Sequence, residues 1–169
     1  MALKENVAKL LDEQVNKELY SAYLYLAFAD YYEERGLKGF ANWYMIQAQE
    51  EVSRAKILRR YLLDNGAKVT LSAIAAADVA FADDVEPLKK GLAHEQYVTA
   101  SINECYAAAE DARDFRTMQL LDWFVKEQGE EEATAEDMVK NMELFGTSPQ
   151  GLYALDREYA ARTFTAPTM

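Results

Sequence analysis

Gln49-Glu50-Glu51-Val52-Ser53-Arg54 lies inside an uninterrupted helical pattern running from about Leu37 to Asn65. One heptad before Glu51 stands Tyr44, and one heptad after it stands Leu58. A helix that buries those two residues also turns Glu51 inward. An inward carboxylate is costly unless cations or hydrogen bonds compensate it. The same substitution recurs in three other segments. Glu18 stands between Leu11 and Tyr25, Glu95 between Leu88 and Ile102, and Glu131 between Phe124 and Met138. Four inward carboxylates repel one another without a cation and become ligands with one. The pattern therefore predicts an all-α four-helix bundle organised around a di-metal centre.

Working outward from α-helical periodicity, the first helix is expected from about Leu3 to Glu34. Its inner stripe is Val7, Leu11, Val15, Glu18, Ala22, Tyr25, Ala29 and Tyr32, and Gly36 breaks it. The second helix stops at Asn65-Gly66. A short connection makes these two antiparallel. Ala67 to Asp83 is different in kind. About 17 extended residues can span roughly 55 Å, whereas a helix of about 28 residues is roughly 42 Å long. The segment is therefore long enough to be a crossover that sets the second and third helices parallel. Val69, Leu71, Ile74, Val79 and Phe81 suggest that it packs against a surface; a flexible linker between two hairpins is the alternative. The third helix is expected from about Asp84 to Ala112, with Pro87 tolerated in its first turn. Asp114 is a candidate N-cap for the fourth helix, which runs to Phe145. A short fifth helix, about Pro149 to Ala161, is too short to stand alone and must dock on the bundle or on a neighbouring subunit. Thr163 to Met169 are expected to fray.

At 169 residues the chain fits one domain, residues 1–169, with a sizeable core. The net charge of −11 argues against nucleic acid and anionic membranes and favours cations. One cysteine, Cys105, excludes an intramolecular disulfide framework and a cysteine-based metal site, and reads as a buried small hydrophobe. Met1-Ala2-Leu3-Lys4-Glu5-Asn6 lacks a basic, then apolar, leader pattern. No apolar run approaches membrane-spanning length. A cytoplasmic location is the expectation.

Carboxylates with a few imidazoles are the usual ligands of redox-active di-iron sites in bundles, commonly a lone Glu on two helices and Glu-x-x-His on the other two. Here the lone residues are Glu18 and Glu95, the second helix offers Glu51-Val52-Ser53-Arg54, and the fourth offers Gln128-Gly129-Glu130-Glu131. Neither supplies a histidine. The only histidine, His94, sits about 100° around the helix from Glu95 and reads as a supporting or surface residue. Tyr25, one heptad after Glu18, should lie beside the centre. It is either a core tyrosine bonded to a carboxylate or a donor of electrons and protons to an oxygen intermediate. Trp123 could act similarly.

Asn16-Lys17-Glu18-Leu19-Tyr20-Ser21, Gln49-Glu50-Glu51, His94-Glu95-Gln96 and Glu127-Gln128-Gly129-Glu130-Glu131-Glu132 together resemble the non-haem bacterial ferritins, over nearly the whole chain. The resemblance implies a hollow homo-oligomeric shell of 24 subunits whose fifth helix lines the four-fold axes. It implies a first iron held by Glu18 and Glu51, with Glu51 bridging to a second iron held by Glu95 and Glu131 and with Gln128 nearby. Glu50, Glu127 and Glu130 match a third, inner iron site, and Tyr25 matches the tyrosine beside the centre. Haem-containing bacterioferritins carry a methionine at the position of Val52, so no haem is expected. The implied activity is iron storage with ferroxidase chemistry, Fe2+ passing to Fe3+ with dioxygen or peroxide as oxidant.

One departure matters. The family places a histidine three residues after the bridging Glu, where this chain has Arg54. Arginine stays charged and has no lone pair to give a metal. Arg54 either pairs with Glu50, Glu51 or Glu18 and occupies part of the first iron's space, or swings outward and leaves water or another carboxylate to complete the coordination. A cation beside the cluster should lower the carboxylate pKa values and weaken metal affinity. The expectation is an occupied but altered di-iron centre. The alternatives are a storage shell with an impaired centre and a rubrerythrin-type di-iron oxidoreductase, the latter disfavoured by the lack of a Cys-x-x-Cys pair.

Overall fold

The computed structural model describes residues 2–77 and 80–169. Met1 of the N-terminal reading, and Asp78 and Val79 of the crossover, lie outside the described residues. The described residues form an all-α bundle: α1 (Glu5–Glu34), α2 (Lys38–Asp64), α3 (Glu86–Asp111), α4 (Phe115–Phe145) and a short α5 (Pro149–Ala160). No helix among them is long and apolar enough to cross a membrane.

Each long helix is amphipathic and buries the stripe its heptads specify. Every residue of the expected α1 stripe is buried, joined by Gln14, Ser21, Leu24, Ala27 and Phe28. Asp114 caps α4 as expected, its carboxylate accepting from the Thr117 amide at 3.1 Å. Gly66 takes the left-handed conformation (φ 73°) that lets the chain leave α2 without a Cβ clash. The third helix begins two residues later than the spacing suggests. Asp83 Oδ1 accepts from the amides of Val85 (3.0 Å) and Glu86 (2.9 Å), which closes a turn ahead of it.

The crossover's contacts fix the topology. Asp12 near the start of α1 accepts from the Thr70 amide, and Asn16 donates to the carbonyls of Ser72 and Ala73. Phe81 then packs on Phe28 and Tyr31, and Asp84 accepts from Tyr31 and Arg35 near the end of α1. The segment thus travels along α1 from its first turns to its last. It delivers α3 antiparallel to α1 and parallel to α2. Val69 is half-buried with the core, while Leu71 is 68% exposed and Ile74 is also exposed. Among its described residues the crossover packs at its two ends, and residues 70–76 are exposed.

The apolar core is split in two. One cluster joins Tyr25, Phe28 and Tyr32 to Phe40, Tyr44, Leu88, Met138, Leu155 and Tyr159. The other joins Leu11 and Val15 to Leu58, Leu62, Ile102, Leu121 and Phe124. Between them lies a buried polar layer: Gln14, Glu18, Gln47, Glu51, Arg54, Glu95 and Gln128. α5 docks on its own bundle. Asp156 accepts from the Gly39 and Phe40 amides, and Tyr159 packs on Phe40 and Trp43.

Candidate metal centre

The polar layer sits at mid-length because each of the four helices carries its glutamate at the same level between apolar heptad positions. Glu18, Glu51 and Glu95 are buried, and Glu131 is half-buried. Each is held by a neighbour; Tyr25 and Gln128 were marked by heptad spacing, whereas Gln14 and Gln47 were not. Gln14, one turn before Glu18, donates to Glu18 Oε1 at 2.9 Å. Ser101 donates to Gln14 Oε1 (2.6 Å), and Lys17 donates to Ser101 (2.6 Å). Gln47, one turn before Glu51, donates to Glu131 Oε2 (2.8 Å) and approaches Glu51 Oε1 (3.4 Å). Tyr25 donates a short hydrogen bond to Glu95 Oε1, and Gln128 donates to Glu95 Oε2 at 3.1 Å. The signal available in the sequence was a glutamine four residues before each of two inward glutamates.

Arg54 points inward and is 2% exposed. Its Nη2 donates to Glu131 Oε1 at 2.5 Å and lies 3.9 Å from Glu127, while its Nη1 donates to Gln128 Oε1 at 3.0 Å and lies 3.5 Å from Glu51. Of the three expected partners only Glu51 is engaged; Glu131 and Gln128 from α4 take the main contacts. Both oxygens of Glu131 are therefore committed. Among the described residues, Glu18 Oε2 and Glu51 Oε2 are buried in the layer with no hydrogen-bond donor, and the two carboxyls face each other. Those orphaned oxygens are free to take a cation. In the conformation present, no three His, Cys, Asp or Glu side chains among the described residues are gathered closely enough to hold one ion. Arg54, Gln47 and Gln128 stand between them.

Arg54 lowers the carboxyl pKa values as expected, but burial outweighs it and sets the net direction upward. Glu51 is raised well above the ordinary range by burial, opposed by Arg54 and reinforced by Glu18 and Glu95. Glu95 is pushed up to about 7, by burial first and then by Glu131, against hydrogen bonds from Tyr25 and Gln128. Tyr25 is raised by burial and by Glu95 and Glu51, so its phenol keeps its proton. The Arg54 charge is opposed by burial but held by Glu51, Glu131, Glu18 and Glu95, which raise its pKa further. The centre without metal thus stores protons as well as a guanidinium.

The remaining expected residues divide. Glu50 and Glu127 are half-buried on the face of the layer nearest the chain's end, and Glu130 is exposed. Glu50 pairs with Arg162 at 2.9 Å. His94 is neutral: burial lowers it to about 4, and its Nε2 meets Ser21 Oγ at 2.7 Å. A cavity of about 20 Å3, bordered by Tyr25, Tyr44, Gln47, Glu95 and Glu131, leaves room for one water-sized particle beside the carboxylates.

Residues 8–145 match the ferritin family, described as a ferritin-like domain. The bacterial non-heme ferritin of Staphylococcus haemolyticus (strain JCSC1435) is 35% identical over 162 residues, covering 96% of this chain and 98% of the relative. That of Staphylococcus aureus (strain USA300) is 33% identical over the same length, with the same coverage. Among solved structures, the Archaeoglobus fulgidus ferritin engineered into a closed form superposes with a TM-score of 0.94 at 37% identity, covering 97% of this chain and 100% of that one. The open-pore ferritin of the same archaeon gives a TM-score of 0.93 at 36% identity, covering 96% and 100%.

Proposed function

The chain belongs to the ferritin family, and on that premise we propose that it stores iron and oxidises Fe(II) at the polar layer within each subunit. Iron is the substrate and the cargo. The observation that supports the reading is the pair of orphaned buried oxygens, Glu18 Oε2 and Glu51 Oε2, beside Glu95. A first Fe(II) is held by Glu18, Glu51 and Glu95, displacing the protons stored on Glu51 and Glu95. A second takes Glu131 and shares Glu51, once Arg54 releases Glu131. Each iron gives up one electron, and dioxygen, taking a pair with two protons, leaves as peroxide. Tyr25 holds Glu95 in place and keeps a phenolic proton at the edge of the centre. The ferric product moves on to mineral inside a hollow shell of 24 subunits, where the acidic surface attracts further cations.

Charge accounts for the alteration. Four inward carboxylates and a neutral histidine would balance two Fe(II) ions. With Arg54 in the layer, the carboxylates balance fewer metal charges, so the two ions bind unequally. A second reading, a shell whose own centre oxidises iron slowly and which stores mainly by mineralising on its inner surface, is favoured by the same burial of Arg54. Aerobic loading discriminates. Iron retained with the assembled particle at many ions per subunit supports storage, and fast oxygen uptake confined to the first two equivalents supports the subunit centre. Uptake that accelerates only as mineral accumulates supports the second reading. Failure to retain iron rules out both.

A further inference from the structure

Past α5 the chain turns back along α2, anchored at Arg162. The side chain of Arg162 donates from Nη1 to the Trp43 carbonyl (3.2 Å) and to Gln47 Oε1 (3.0 Å), and from Nη2 to Glu50 Oε2 (2.9 Å). Its guanidinium lies 4.1 Å from the centroid of the Trp43 ring, and its own carbonyl accepts from Asn42 at 3.0 Å. Beyond it, Thr165–Thr168 close over Glu50, Arg54, Trp123 and Glu127 around a cavity of about 210 Å3. One residue after the last helix thus reaches the polar layer twice, directly at Glu50 and through Gln47 at Glu131.

The chemistry of each contact excludes metal. A guanidinium on Glu50 satisfies a half-buried carboxylate with a charge carried by the chain. A guanidinium on Gln47 Oε1 fixes the polarity of that amide, so its NH2 must face Glu131 and Glu51. An NH2 group donates to carboxylates and repels a cation. We infer that Arg162 is a tethered cation that competes with metal ions for Glu50 and positions Glu131 through Gln47. The face lined by Glu50 and Glu127 is the third iron site that the family resemblance implies; what is new is that Arg162 must leave Glu50 before a metal ion enters it. The step is ion exchange, guanidinium for divalent cation, and no electrons move. The identity of the metal in the cell rests on the storage reading, whereas the exchange itself does not.

The test uses Zn(II), which is redox-inert, on the assembled apoprotein by isothermal titration. Arg162→Gln is expected to bind Zn(II) about tenfold more tightly at this face, or to take one further ion per subunit. Adding Glu50→Gln should cancel that gain. Superimposable isotherms for the wild-type and Arg162→Gln proteins overturn the inference. Because Arg162 also anchors the chain's end, a second readout leaves it in place. With Trp123→Phe, Trp43 is the one remaining tryptophan of the two in the sequence. Zn(II) that displaces Arg162 from its ring must then shift its emission. A silent titration, or an equal shift when Glu50→Gln is added, also overturns the inference. The storage reading fails separately, if iron is not retained, whatever Zn(II) does here.

Discussion

A guanidinium at position 54 stays charged at every accessible pH and cannot ligate a metal, whereas the carboxylates around it can lose or regain protons. Arg54 is therefore the fixed element of the layer, and Glu51 and Glu95 are the adjustable ones. Replacing it by an apolar side chain should leave Glu131 and Glu51 buried without a cation. Arg54→Leu is expected to lower the stability of the apoprotein by roughly 3 kcal/mol, read as a fall in thermal midpoint that saturating Zn(II) restores. The stored protons make a second prediction. Glu95 titrates near 7 when folded against an ordinary 4.5, so between these values the folded state holds a proton that the unfolded chain has released. Apoprotein stability must then fall as pH rises through that window, by on the order of 3 kcal/mol from Glu95 alone. The Glu95 contribution levels off above it. Thermal midpoints at pH 5 and pH 8 check this, and Glu95→Gln should flatten the slope. Periodicity was enough to turn Glu18, Glu51, Glu95 and Gln128 inward. It could not aim Arg54, because the groups that fix its side chain, Gln128 and Glu131, lie 74 and 77 residues away on another helix.

Among the elements, α5 shows how a short helix is held. α2 has no side-chain cap of its own at Leu37. Asp156 of α5 supplies one instead, accepting from the Gly39 and Phe40 amides at 2.8 and 3.0 Å. A Cβ on Gly39 would stand 1.6 Å from the Asp156 carbonyl oxygen, so only glycine permits this approach. Asp156→Ala is expected to cost about 1–2 kcal/mol, the value of a lost cap, and to loosen Tyr159 from Trp43. Near-ultraviolet circular dichroism reads that packing, and Asp156→Asn should preserve most of it. The sequence announced α5 as a short helix from about Pro149. Its docking partner was not legible, because a cap given by one helix to another leaves no local signature. The anchoring of Arg162, just before the stretch expected to fray, was not legible for the same reason: Trp43, Gln47 and Glu50 hold it, all more than 100 residues earlier.

For the whole molecule, the long crossover decides the topology, and its length was readable against the length of the helices. Its contacts with Asp12 and Asn16 at one end and with Tyr31 and Arg35 at the other realise the up-down order with one long connection. The net charge of −11 per chain makes any closed assembly an acidic vessel that draws in cations. The apoprotein is expected to run as a particle of 24 subunits by light scattering, and a monomer or dimer at micromolar concentration would remove the storage compartment from the account. The centre inside each subunit is the sharper question, because Arg54 is predicted to divide one paired site into two unequal ones. Anaerobic Fe(II) titration of the wild-type and Arg54→His apoproteins, each then mixed with oxygen by stopped flow, tests that division. The account predicts one tight iron per subunit and a second weaker by about tenfold or more in the wild type, and two tight irons with faster oxidation in Arg54→His. Two equivalent tight irons in the wild type, or a single iron bound through Glu95 and Glu131 alone, would contradict it.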